Sequence, residues 1–406
     1  MPTNIDFSVF QWNCCSIYNN QDQLVQHLAG HDYQVLALQS LNVKKDKLPR
    51  LKNYYFPPIH QKVDTTEKIN VAIYVREGVD YIYCPSPVPP DTPSIYSCAT
   101  TIRFNSLNLM VMSVYLPLGP NEQNTEWIRS LQSDLSKNIL ITGDFNAHAP
   151  FWEKDCVSVT SNRFIENVVD SSFYLLNDGS ITRIPDNSSH KASAIDLTMV
   201  SPDLAPICNW KTLDDPLNSD HLPIITCFNN VKPMPSDQTE NKIPKFNYKL
   251  ADWDKFSLSL STFHIDDIDD KSIDNLYTIF TTSVISAASE AIPKIKSVKS
   301  KKHTGNIWWN EACEEAKKEK KSKFKTYLKE KSYFNHIEMK KAKNKANMIM
   351  AQAKRLYWSS FCKNEVYNHK DMQKVWEKLK TMKNGVKLPV SHKGRQVRYT
   401  FQSRQG

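Results

Sequence analysis

Two short phrases of this chain carry side chains able to do chemistry together. Residues 140 to 148 read Leu-Ile-Thr-Gly-Asp-Phe-Asn-Ala-His, an apolar strand emptying into a turn that presents Asp144, Asn146 and His148. Further on, Ser219-Asp220-His221 supplies a second carboxylate and an imidazole. Alternation along extended backbone sends Asp144 and Asn146 toward the same side, where the carboxylate can take a proton from water while the amide donates to a phosphate oxygen. The two phrases outline a metal-assisted phosphoester site.

Four more pieces stand at the ends of apolar runs: Trp12-Asn13, Leu38-Gln39-Ser40, Ser113-Val114-Tyr115, and Ser193-Ala194-Ile195-Asp196-Leu197. Phosphodiester hydrolysis needs a hard cation on oxygen ligands, a group that activates water, and donors for the charge building on phosphorus. Asn13 and Asp220 supply oxygens for magnesium, with manganese as the alternative ion. Asp144 suits water activation, and Asn146 and Tyr115 suit phosphate positioning. His221 can donate to the phosphate if a carboxylate such as Asp196 holds its ring. Each piece also has a structural reading: Asn13 as a strand-end cap, Tyr115 as a core ring, Asp196 as a turn former, Ser219-Asp220 as a helix cap. Their common order along one domain favours the chemical reading.

The elements that must position these groups are legible as short apolar runs: Phe7 to Trp12, Val35 to Leu38, Val71 to Val75, Leu109 to Tyr115, Ile139 to Thr142, Ile195 to Val200 and Ile224 to Phe228. These predict strands. Asp22 to Leu28 and Asn162 to Val169 predict helices between them, so a mixed sheet structure with helices packed outside is expected rather than a pure β-sandwich. Only nine glycines occur, so turns rely on Pro, Asn, Asp and Ser, as in Pro85 to Pro93.

The net charge of +9 hides a division. Up to Pro293 there are 22 Lys and Arg against 34 Asp and Glu; from Lys294 onward there are 30 against 9. An acidic part can concentrate divalent cations, whereas a lysine-rich part reads as polyanion binding through counterion release, or else as a solvated helix face. Nine scattered cysteines without a Cys-x-x-Cys pair argue against a zinc ribbon or a disulfide framework. With no apolar run of eighteen residues and no signal-like amino terminus, no membrane partner is expected; the chain reads as nuclear or cytoplasmic, not secreted.

The predicted organisation is a catalytic domain over 1–229, a linker with one amphipathic helix over 230–304, a lysine-rich helical connector over 305–385, and an unstructured tail over 386–406. In the linker Ile273, Leu276, Ile279, Phe280, Val284 and Ala287 recur at helical spacing. From Asn310 to about Lys383 the pattern predicts helices folded back on each other with lysines outward. Glu311, Glu314 and Glu315 lie in the first turn, where the helix dipole favours acids.

The motifs resemble the endonuclease/exonuclease/phosphatase superfamily, and more closely the apurinic-endonuclease-like domain that opens the polymerase polyprotein of non-LTR retrotransposons. The phrases that carry this are Gln-Trp-Asn-Cys at 11–14, Val-Ala-Ile-Tyr-Val at 71–75, Ser-Val-Tyr-Leu-Pro at 113–117, Gly-Asp-Phe-Asn-Ala-His at 143–148, Ala-Ile-Asp-Leu at 194–197 and Ser-Asp-His-Leu-Pro-Ile at 219–224. Trp308-Trp309-Asn310-Glu311, the lysine-rich helices and Trp376-Glu377-Lys378 look like the connector that precedes the reverse transcriptase. The resemblance implies a four-layer α/β sandwich, two packed mixed sheets flanked by helices, followed by an α-helical basic connector. It also implies a magnesium-dependent nick in target DNA that leaves a 3′ hydroxyl, with element RNA or DNA held by the lysine helices. Two departures stand out. Where the family has Leu-Gln-Glu-Thr, with the glutamate as principal metal ligand, this chain has Leu38-Gln39-Ser40-Leu41; Glu67 and Glu77 are the candidate substitutes. No Asp-Asp polymerase signature follows, as in a truncated copy. The rival expectation is a catalytically inactive nucleic-acid-binding remnant; a phosphomonoesterase or lipid phosphodiesterase of the same superfamily is disfavoured by the lysine-rich region.

Overall fold

The seven apolar runs all become strands, and five further strands join them to complete two six-stranded sheets. The computed structural model describes residues 7–363 apart from short stretches, of which the longest are 57–67, 131–137, 232–249, 262–272 and 294–304. In chain order the strands are β1 (Phe7–Asn13), β2 (Val35–Lys44), β3 (Tyr54–Tyr55), β4 (Lys68–Arg76), β5 (Tyr81–Cys84), β6 (Tyr96–Arg103), β7 (Asn108–Tyr115), β8 (Asn138–Asp144), β9 (Tyr174–Leu175), β10 (Asp196–Val200), β11 (Cys208–Thr212) and β12 (Ile224–Phe228). One sheet runs β11-β12-β1-β2-β4-β3 and the other β5-β6-β7-β8-β10-β9. Each is mixed: β1 is parallel to β2 and antiparallel to β12, and β7 is parallel to β8 and antiparallel to β6.

Strand alternation divides the side chains between two kinds of core. Phe10 and Trp12 face outward from the first sheet, packing with Leu36, Leu38 and Tyr74 against Ile17, Leu24 and Leu28 of α1 (Ile17–Leu28). Met112, Val114, Ile141 and Leu197 do the same on the second sheet, beneath Trp127 and Ile128 of α2 (Trp127–Ser130) and Phe164 and Val168 of α3 (Asn162–Asp170). Each fully buried side chain of this size contributes about 1.5–3 kcal/mol. The order helix, sheet, sheet, helix is the four-layer α/β sandwich that the motifs implied.

Between the sheets the lining changes from apolar to polar along β1. At one end Phe7 meets Phe104 edge to face at 4.9 Å. At the other, Gln11 and Asn13 reach Asp196 and Asp144 of the opposite sheet. Four of the five strands that the apolar runs did not reveal have a common cause: β3, β5, β9 and β11 are the four sheet edges. An edge strand has one flank free of partners and needs no unbroken apolar run, and β6, rich in Ser and Thr, reads as polar.

The lysine-rich region forms a hairpin of α6 (Glu311–Lys329) and α7 (Tyr333–Phe361). Asn310 and Ser332 cap the two helices by accepting from the amides of Cys313 and Asn335. Cys313 and Ala316 pack on Ala346, Met350 and Ala353 along the seam. The expectation that the lysines face outward fails at Lys320, whose side chain is 6% exposed and lies 3.3 Å from Asp215. Lys321 and Lys325 reach Asp214, and Lys354 reaches Asp22 on α1. Phe324 and Met339 pack with Ile184 and Leu222 of the sandwich. The hairpin is therefore docked on the domain by an apolar patch with ion pairs around it. Its last described residues follow Phe361, so the extension to Lys383, Trp376-Glu377-Lys378 and the tail 386–406 lie outside the described residues.

A second compact unit comprises Pro233–Lys302 with Gly78–Asp80. In place of the one amphipathic helix expected there it has two, α4 (Trp253–Ser261) and α5 (Ile273–Ala291). Phe256 and Ala251 pack on Ala288, Ala291 and Ile292. The sequence pattern missed α4 because the helix is short and none of its side chains is buried.

Candidate active site

Strand register sets three of the groups at one level. Tyr115 pairs with Asp144 across β7 and β8, and Asp196 pairs with Asp144 across β10 and β8. Gly143 makes the close strand approach possible, since a Cβ there would lie 1.9 Å from the Val114 carbonyl oxygen. Beyond Asp144 the chain turns at Asn146, which adopts a left-handed φ of 45° and folds its amide back onto the Leu116 carbonyl at 2.9 Å. The Asn146 backbone N–H also donates to Asp144 Oδ1.

Ser219 stitches the Ser-Asp-His phrase to the end of β1, donating to the Asn13 carbonyl at 2.8 Å and accepting from the His221 amide. His221 lies with Nδ1 2.8 Å from Asp196 Oδ2, and this leaves Nε2 facing Asp144 Oδ2 at 3.9 Å and Asp220 Oδ1 at 3.8 Å. Burial works against the imidazolium, but Asp196, Asp144 and Asp220 outweigh it and raise the His221 pKa to about 9. Burial, reinforced by Asp196, raises Asp144 to about 7 even though His221 and the Asn13 amide pull it down. Asn13 Nδ2 donates to Asp144 Oδ2 at 2.7 Å. Tyr115 is pushed up to about 12 by burial and by Asp144, so its hydroxyl stays a donor; Ser40 is its hydrogen-bonding neighbour.

The seven residues singled out for chemistry therefore meet at one end of the sandwich: Asn13, Tyr115, Asp144, Asn146, Asp196, Asp220 and His221. His148 does not join them; its Nδ1 is engaged by Glu153 at 2.6 Å. Ser40 sits at φ 54° in a bulge where the β2–β4 register shifts between Gln39 and Val43. Glu77 cannot replace the missing carboxylate. It lies beyond the Val75 end of β4, which pairs with Val35 at the start of β2, whereas Ser40 follows Gln39, the partner of Val71. Glu67 falls outside the described residues.

Three further residues belong to the site, and two of them, Arg183 and Cys15, had no motif to reveal them. Arg183 donates from Nε to Asp220 Oδ2 at 2.9 Å, and its backbone bridges both Ser193 and His221. Cys15 places Sγ 2.8 Å from Asp220 Oδ1 and 3.7 Å from Asn13 Oδ1. Gln11 donates to Asp196 Oδ1 and to Gln39, which continues to Ser113, so a buried amide chain supports the carboxylate behind His221. The only advance sign of Gln11 was its place in the phrase Gln-Trp-Asn-Cys.

The oxygens of Asn13 and Asp220 both converge on Cys15 Sγ, which makes them a candidate pair of donors for a hard cation. Asp220 keeps its pKa below the usual carboxylate range: burial would raise it, but His221, Cys15 and Arg183 hold the charge. The set fits a divalent ion, with a single carboxylate at the rim that already serves a guanidinium. Two groups of potential ligands recur among the described residues: Asp144, Asp196 and His221, and Cys15, Asp220 and His221.

Residues 109–225 match the endonuclease-reverse transcriptase family. The match runs from β7 into β12 and takes in Tyr115, Asp144, Asn146, Asp196, Asp220 and His221; Asn13 and Ser40 precede it. A probable RNA-directed DNA polymerase from transposon BS of Drosophila melanogaster is 24% identical over 256 residues, which is 62% of this chain and 27% of the relative. The chain thus spans about a quarter of that relative's length. Among solved structures, the endonuclease domain of TRAS1, a telomere-specific non-LTR retrotransposon, aligns with 55% of this chain and 98% of its own at 18% identity and a TM-score of 0.47. The Xenopus laevis APE2 catalytic domain aligns with 57% and 94% at 16% identity and a TM-score of 0.45. No helix among the described residues is long and apolar enough to cross a membrane.

Proposed function

We propose that the sandwich is the endonuclease domain of a non-LTR retroelement that nicks DNA by magnesium-dependent phosphodiester hydrolysis, weakened by Ser40. The observation that carries this reading is His221: its Nδ1 is held by Asp196, so Nε2 points between the carboxylates of Asp144 and Asp220. An imidazolium so placed donates to a phosphate oxygen as negative charge builds on it. Asp144, with a pKa raised to about 7, accepts the proton of the attacking water, and the Asn13 amide orients its carboxylate. Tyr115 and Asn146 flank that carboxylate and position the phosphate. Asn13 and Asp220 would hold Mg2+, which supplies charge stabilisation to a phosphate oxygen when bound. Manganese fits the same oxygens. Ser40 leaves this ion one carboxylate short, and hard cations are held largely by carboxylate charge.

The bonds from Asp220 to Arg183 and Cys15 support a second reading, an inactive nucleic-acid-binding remnant whose rim carboxylate is already neutralised. Nicking of supercoiled plasmid decides between them. Activity in the full chain that disappears in both Asp144→Ala and His221→Ala upholds the nuclease; relaxed product that persists in both variants, or is absent from the parent at saturating Mg2+, sinks it. On this reading DNA is the substrate, and the hairpin lysines hold element RNA or DNA. Their basic surface suits a nuclear or cytoplasmic polynucleotide partner.

A further inference from the structure

Cys15, Asp220 and His221 differ from the rest of the mouth in the kind of atom they offer. Their donor atoms, a thiol sulfur, a carboxylate oxygen and an imidazole nitrogen, all lie within 4.8 Å of one another. Sγ stands 2.8 Å from Asp220 Oδ1, and His221 Nε2 stands 3.8 Å from that same oxygen. Three such ligands around zinc, at roughly 2.0–2.3 Å each, sit about 3.3–3.7 Å apart. Small side-chain rotations therefore bring the observed set into register with one ion.

The surroundings favour the same use. Asp196 occupies His221 Nδ1 and so fixes the tautomer with Nε2 directed at the cluster, the outer-shell arrangement that metal-ligating histidines commonly have. Arg183 bonds Asp220 through Oδ2, which leaves Oδ1 to the cluster. The hydroxyl of Ser40 adds no charge where a carboxylate would have favoured a hard ion. With sulfur and nitrogen in place of that carboxylate, the balance of ligand softness moves from magnesium toward zinc or cobalt.

We infer that Cys15, Asp220 and His221 form a three-ligand site for a borderline divalent cation of the zinc type, completed by water at an open fourth position. Binding displaces two protons to solvent, the thiol proton of Cys15 and the Nε2 proton of the His221 imidazolium, and ties up both Asp220 and that nitrogen. The site therefore excludes magnesium from Asp220 and silences the imidazole. The existence of the site is independent of the nuclease reading; only this inhibitory consequence rests on it.

Addition of Co2+ to the metal-free full chain gives a direct readout. One equivalent should produce the near-ultraviolet thiolate-to-cobalt absorption, and Zn2+ should bleach it. Cys15→Ser should abolish the band and weaken Zn2+ binding by about tenfold or more. Cys15→Ala, with an unchanged circular dichroism spectrum, should do the same, so a folding defect in one variant does not decide the matter. His221→Ala should shift the cobalt visible bands. A band that survives both Cys15 variants, or no band in the parent, overturns the site. Zinc inhibition of plasmid nicking that Cys15→Ser relieves tests the consequence; a parent that never nicks refutes the nuclease reading while the cobalt spectrum still judges the site.

Discussion

The mouth of the sandwich and the seat of the helical hairpin both bring acids to bases, and they use them differently. At the seat, Lys320 is buried against Asp215, which also accepts from the Leu217 amide, and the pair is surrounded by Phe324, Met339, Ile184 and Leu222. Lys321 and Lys325 reach Asp214 beside it. At the mouth, Asp144, Asp196 and Asp220 surround one imidazole; their charge raises the pKa of His221, while burial, reinforced by Asp196, raises that of Asp144. A matched pair holds structure together; an unmatched cluster stores the tension that a substrate or cation relieves. The two are physically close, since Arg183 and Ile184 are neighbours in sequence, as are His221 and Leu222: in each pair the first serves the mouth and the second the seat.

Substitutions should separate the two regions, and the largest effects belong to the mouth. Asp144→Ala and His221→Ala should each reduce nicking by about a hundredfold or more, the scale of lost acid–base catalysis, while leaving the melting temperature near that of the parent. Equal losses of activity and stability would mean that the mouth is as structural as the seat. Lys320→Met should do the reverse. Removing one partner of a buried pair costs about 3–5 kcal/mol, read as a lower urea midpoint; Lys320→Met with Asp215→Leu should recover much of it. Because Asp215 is held below its ordinary pKa, the stability it contributes is present above the normal carboxylate range and is lost as pH falls below that range through the depressed folded-state value.

The pH profile sharpens the contrast further. Asp144 must be ionised to accept a proton and His221 protonated to donate one, so kcat/KM should rise as pH passes about 7 and fall beyond about 9. The rising limb should be altered by Asn13→Ala, because that amide favours the Asp144 carboxylate. A profile unchanged by Asn13→Ala would remove Asp144 from the role of base. The smallest effect belongs to Lys354 and Asp22, an exposed pair at the edge of the seat. Lys354→Ala should shift stability by no more than about 1 kcal/mol.

How much of this could be read from residues alone follows from the same physics. Except for the polar β6, the strands flanked by partners on both sides showed an unbroken apolar run, as Val71 to Val75 does, and the motif residues stood where those runs stopped. Edge strands left no such trace, because they are flanked on one side only. Asp144, Asp196 and His221 were legible because a strand end fixes their place. Arg183 and Cys15 were not, since both come to Asp220 from loops and turns whose paths depend on tertiary contacts. His148 erred in the other direction: three polar residues in one turn suggested a shared purpose, but after Asn146 reverses the backbone the ring meets Glu153. Lys320 misled for its composition; among so many solvated lysines, nothing local marks the one whose partner is Asp215.

The account turns on whether the mouth is a working site held back by a missing carboxylate, and Ser40→Glu tests that most directly. Supercoiled plasmid nicking by the parent and by Ser40→Glu, followed over a magnesium titration, should show the variant reaching half-maximal activity at lower Mg2+ and nicking faster at every concentration. Nicking that is absent from both proteins, or indifferent to residue 40 across the titration, would contradict it.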